Sequence, residues 1–77
     1  MYGLLWRTVI EPGGRTAQVS RRGQVYVKVK HLPRRGWQVF GRGAGDRRMR
    51  RVGYPMVSEY QAKDVAARWL RQQGAHG

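Results

Sequence analysis

Seventy-seven residues suffice for one small domain, and a core of that size leaves little net stability, so most apolar side chains have to be buried efficiently. Lysine and arginine number 16 against 4 aspartates and glutamates, a formal charge of +12 that opposes compaction by self-repulsion and attracts polyanions, nucleic acid first among them. The absence of cysteine excludes disulfides and thiolate metal sites, no apolar run approaches the ~18 residues of a membrane span, and Arg7 interrupts Leu4-Leu5-Trp6 before a signal-peptide core can form, so a cytoplasmic location is expected.

Apolar and aromatic residues continue as far as Leu70, interleaved with the basic ones, which argues against a disordered basic tail and for a single domain over residues 1 to 77. Met1 and the lack of a recognisable tag are those expected of a complete small reading frame. From Tyr2 to Ile10 the residues are mostly apolar or β-branched, and Glu11-Pro12-Gly13-Gly14 offers a turn, so residues 2 to 20 read as an N-terminal hairpin. After Arg21-Arg22-Gly23, Val25, Val27 and Val29 alternate with Tyr26, Lys28 and Lys30, the period-2 pattern of a half-buried strand.

Leu32-Pro33-Arg34-Arg35-Gly36 reads as a turn and Trp37-Gln38-Val39-Phe40 as a fourth strand, closed by the Gly-rich residues 41 to 46. Residues 47 to 54 form the fifth, with Met49 and Val52 at opposite parity, which predicts a bulge or a short edge strand there; residues 24 to 54 are thus a three-stranded meander. Ser58 with Gln61 three residues on is a capping box, and Ala62, Val65, Ala66, Trp69 and Leu70 make the apolar stripe of a helix over residues 58 to 73. Glu59 suits its positive pole, Arg68 and Arg71 its negative one, and Gly74 is placed at C′. The fold class that follows is α+β: an antiparallel meander of four to five strands with one C-terminal helix on one face.

The other face of the sheet is then open. With the valines toward the helix, Tyr26, Lys28 and Lys30 share the open face with Gln38, Phe40 and Arg42, and Met49 inward leaves Arg48 and Arg50 outward. Arg21, Arg22, Arg34, Arg35, Arg47 and Arg51 fall in or beside turns, where they can reach backbone phosphates flanking the sheet. Arginine and lysine neutralise phosphates, arginine forks onto guanine edges, and aromatic rings stack on unpaired bases, so this set is expected to bind nucleic acid. Trp37 and Trp69 sit at core parity, and Trp6 is balanced between core and an exposed role.

The stretch GWQVFGRGAGDRRMRRVGYPMVSEYQAKDVAARWL, with its Gly36-Trp37 strand entry, the basic strand at 47 to 51 and the helix carrying Ala62, Ala66 and Trp69, resembles small DNA-binding modules. These are the three-stranded-sheet-plus-helix modules of plant AP2-type factors and of the arm-binding domains of tyrosine integrases, in which the sheet enters the DNA major groove. The resemblance implies a freestanding DNA-binding module, a regulator of a phage or mobile element.

Enzymatic chemistry finds no foothold. His31 and His76 are the only histidines, no metal cluster has ligand spacing, Glu59 and Asp64 fall on different helix faces, and Gly41-x-Gly43-x-Gly45 lacks the following helix of a nucleotide loop. The expectation is a non-enzymatic protein without cofactor, binding DNA ahead of RNA. An acidic protein surface, met by a small phage-type inhibitor, is the alternative partner.

Overall fold

The computed structural model describes residues 4 to 75; Tyr2, at the start of the expected first strand, and His76 lie outside them. Five strands, β1 (Arg7–Ile10), β2 (Thr16–Arg22), β3 (Val25–Leu32), β4 (Gly36–Arg42) and β5 (Arg50–Met56), form one antiparallel sheet in sequential order, followed by the helix α1 (Glu59–Ala75). The α+β meander with one helix packed on it is therefore the architecture of the chain.

Period-2 alternation divides the sheet into two sides. Val25, Val27 and Val29 of β3 and Val39 of β4 are buried against Ala62, Ala66 and Leu70 of α1, and Trp37, Val52, Met56, Val65 and Trp69 pack around them. The helix lies mainly over β3, β4 and β5, so the β1–β2 hairpin extends the sheet past it. Leu4 and Trp6 pack at the margin of this core, with the Lys63 ammonium 5.3 Å from the centre of the Trp6 ring. Trp6 thus belongs to the helix side.

α1 starts as its sequence directs. Ser58 Oγ accepts a hydrogen bond from the Gln61 backbone N–H at 3.1 Å, and Glu59 occupies the first turn. Its end differs from the expectation: the helix runs through Gly74 to Ala75, so Gly74 is not at C′ and no basic residue lies in the last turn. One glycine near a helix end costs about 1 kcal/mol, too little to stop a helix already docked on the sheet. Arg68 instead pairs with Asp64, four residues before it, and Lys63 pairs with Glu59.

β5 departs most from the sequence pattern. It covers Arg50–Met56 where residues 47 to 54 are expected, while the bulge expected in this strand is present: Trp37 pairs with Met56 and Val39 with Val52, leaving Gly53-Tyr54-Pro55 opposite Gln38 alone. Pro55 has no N–H for the ladder, and Gly53 takes φ = 70°, a backbone state that side chains oppose. Both push the strand out of register at this point.

Trp69 of the helix sits directly over Gly41 of β4. A Cβ at that position would lie 2.7 Å from two carbons of the Trp69 indole, closer than van der Waals contact allows. The missing side chain is therefore the seat of the ring. Gly41→Ala is expected to lower stability by about 2 kcal/mol, as overpacked cores do, and to lower Tm by roughly 8 °C or more in a thermal melt followed by circular dichroism.

Candidate nucleic-acid interface

Residues directly opposite in an antiparallel pair share a face, so the register gives the composition of the helix-free side. Arg21 lies opposite Tyr26 and Tyr26 opposite Arg42, which makes one transverse row across β2, β3 and β4. A second row runs Arg7, Val19, Lys28, Phe40 and Arg51 across all five strands. Ala17 and Val19 also point to this side and are nonetheless buried, forming its floor beneath the longer side chains.

Two parts of the expected set are corrected by this register. Arg51, not Arg50, shares the open face with Phe40; Arg50 is opposite Gly41 and has helix-side parity, and Arg48 precedes the strand altogether. The cause is that Met49, assumed to be an inward strand residue, lies outside β5, and Val52 sets the parity instead. Gln38 has the expected parity but no exposure at all. Its Nε2 donates to the Val39 and Gly53 carbonyls at 2.9 and 3.2 Å, filling the gap in the ladder that the bulge opens, so it cannot reach a ligand. Its Oε1 has no hydrogen-bond partner among the described residues.

The aromatic side chains of the face are covered by cations. The Arg42 guanidinium stands 5.6 Å from the centre of the Tyr26 ring, and the Lys28 and Lys30 ammoniums stand 5.6 and 5.7 Å from that of Phe40. The lysines are held further by Glu11, delivered from the β1–β2 turn, where the Gly14 N–H donates to the Glu11 carbonyl at 3.0 Å. Lys28 meets Glu11 Oε2 at 2.6 Å and Lys30 meets Oε1 at 3.1 Å. These hydrogen bonds, Lys28 first and Lys30 second, hold the Glu11 carboxyl below the usual glutamate range against a weaker opposing effect of burial. Glu11 is not among the expected site residues, although one signal points to it: it is the sole carboxylate before Asp46.

Pairing sorts the remaining charges. Glu11, Glu59 and Asp64 engage all three lysines and Arg68, while Asp46 Oδ2 accepts from the Gly43 N–H at 3.1 Å and closes the β4–β5 loop. Among the described residues every cation outside these pairs is an arginine. Arg21, Arg22, Arg42, Arg47, Arg48, Arg50 and Arg51 gather at the end of the sheet formed by the β2–β3 turn and the β4–β5 loop. Arg34 and Arg35 lie on the turn at the opposite end, and the structure does not bring them together with the others. Free charge is thus concentrated at one end.

Arg34 is unusual in its backbone. It follows Pro33 in a turn closed by the Arg35 N–H on the Leu32 carbonyl at 3.0 Å, and it holds φ = 65°, a state reserved mostly for glycine and asparagine.

On the helix side an open cleft of about 460 Å³ is lined by Met56, Tyr60, Gln61, Asp64, Val65 and Arg68. Among the described residues no group of three or more His, Cys, Asp or Glu is placed to hold a metal ion, and no helix is long and apolar enough to cross a membrane. Comparison of the chain with protein-family models, with curated proteins and with solved structures finds no match.

Two outcomes follow from this geometry. Because the Glu11 carboxyl is depressed in the folded chain, its contribution is present above the ordinary glutamate range and is lost as pH falls through its lowered folded value. Glu11→Gln is therefore expected to cost about 1 kcal/mol at neutral pH, with the difference from the parent chain shrinking on acidification, as measured by urea unfolding across pH. Arg34→Gly relieves the left-handed backbone and is expected to raise stability by roughly 1 kcal/mol in the same assay.

Proposed function

We propose that this chain is a non-enzymatic DNA-binding protein that meets duplex DNA with the helix-free face of its sheet, led by the arginine-rich end. The observation that carries this reading is the row Arg21, Tyr26 and Arg42, with Arg51 beside it and Arg47 and Arg48 on the adjoining β4–β5 loop, none of them paired with a carboxylate; Arg22, expected beside a turn, ends β2 opposite Val25 and has helix-side parity. Arginine forks suit both phosphate oxygens and guanine edges, and a strand ribbon fits the width of the major groove. The resemblance to sheet-reading DNA-binding modules supports the same mode, and with it a regulatory role in a phage or mobile element.

Duplex is favoured over single strands by the state of the aromatic rings. Tyr26 lies under Arg42, and Phe40 lies under Lys28 and Lys30, so neither ring offers a bare surface to an unpaired base. A surface built for single-stranded RNA would leave such rings uncovered.

Fluorescence-anisotropy titration of labelled duplex DNA, single-stranded DNA and structured RNA, each at two salt concentrations, tests the reading. Tight duplex binding with a log-log salt slope of about −0.9 per phosphate contacted is expected. Replacing Arg21, Arg42 and Arg51 together by alanine is expected to weaken it by roughly tenfold or more and flatten the slope by about 0.9 per lost contact, with Tm lowered only by the loss of the half-buried Arg42 contact with Tyr26, because the exposed Arg21 and Arg51 contribute little to stability. Equal weak binding to all three nucleic acids would overturn the proposal and direct attention to an acidic protein surface.

A further inference from the structure

We propose that Lys28, Lys30 and Phe40 form a second anion-binding subsite, shaped for a backbone phosphate, which Glu11 occupies and keeps closed. The inference rests on the nucleic-acid reading above and deepens it.

Two ammonium groups converge on one small anion, each on a different oxygen: Lys28 on Oε2 at 2.6 Å and Lys30 on Oε1 at 3.1 Å. A phosphate presents two oxygens in the same way, so the carboxylate marks where a phosphate would be held. The Phe40 ring lies beneath both ammoniums and fixes them from below. Solvent still reaches the cluster, since the side chains of Glu11, Lys28 and Lys30 keep 19%, 20% and 30% of their surface exposed.

Position on the face argues for the same role. Lys28 and Phe40 lie in one cross-strand row with Arg51, so an anion held by the lysines is in line with the free arginines. The Glu11 backbone is fixed at the turn, its N–H donating to the Arg15 carbonyl at 2.7 Å and its carbonyl accepting from Gly14 at 3.0 Å, so rotation of its side chain breaks only the two lysine contacts. While it stays, the cluster has one net positive charge; when it leaves, two ammoniums face the ligand. Duplex is thereby held to the arginines, and Glu11 acts as an intramolecular competitor at the lysine pair beside them.

The test uses Glu11→Gln, which keeps the shape of the side chain and removes its charge. Two probes are titrated into the parent chain and the variant: a labelled DNA duplex, and tripolyphosphate with the Lys28 and Lys30 Nζ resonances followed by NMR. The variant is expected to bind duplex more tightly, with a salt slope steeper by about 0.9 to 1.8, and the gain is expected to vanish when Lys28→Met and Lys30→Met are added. Tripolyphosphate is expected to shift both Nζ resonances in the variant and to leave them in place in the parent.

A gain that survives the two methionine substitutions would overturn the subsite, since it would be a general effect of net charge. Nζ resonances that stay in place in the variant, or move equally in both chains, would overturn it too. Duplex binding by the parent with no gain in the variant sinks the subsite and leaves the proposed function standing. Shifted Nζ resonances in a variant whose parent ignores duplex would do the reverse.

Discussion

The scarcity of negative charge governs how this chain is put together. With four carboxylates for sixteen cations, each carboxylate has its own local role. Glu11 joins the β1–β2 turn to two lysines, Asp46 closes the β4–β5 loop, and Glu59 and Asp64 neutralise neighbours along the helix. Nothing acidic is left for the arginines of β2, β4 and β5. Repulsion among them is tolerated because their side chains are long and lie at the surface, where water screens them. The unbalanced positive field that results attracts polyanions.

Against that field, cohesion comes from one side of the sheet. A stripe of valines on β3 and β4 meets two alanines and a leucine of α1, and small residues on the helix let the two layers come close. The indole of Trp69 takes the place that Gly41 leaves vacant, which fixes where the helix lies along the sheet. Because the helix covers β3 to β5, the hairpin of β1 and β2 widens the opposite face without a second layer. Packing on one side thus creates the broad surface on the other.

Much of this is legible in the residue order. The alternation of Val25, Val27 and Val29 specifies β3 and its faces, and the stripe from Ala62 to Leu70 with Ser58 ahead of it specifies the helix, because both patterns are local and periodic. β5 is not legible in the same way. Its parity turns on whether Met49 or Val52 is the inward residue, and only pairing with β4 decides that. Gln38 reads as a surface residue because buried glutamine is uncommon, and its burial follows from a bulge on a neighbouring strand that begins fifteen residues away. Glu11 meets lysines seventeen and nineteen residues later, a contact between elements that no local pattern encodes.

The bulge at Gly53-Tyr54-Pro55 also bears on what the outer edge of the sheet offers to another chain. β5 is the outer strand of an open sheet, and such a strand offers unpaired amides and carbonyls to any extended chain that comes alongside. Here the offer is withdrawn: Pro55 has no amide hydrogen, the backbone turns aside at Gly53, and Arg50 and Arg51 set like charges against an incoming copy. At the far edge β1 is only four residues long. Both edges of a sheet rich in β-branched residues are thus poor templates for a further strand.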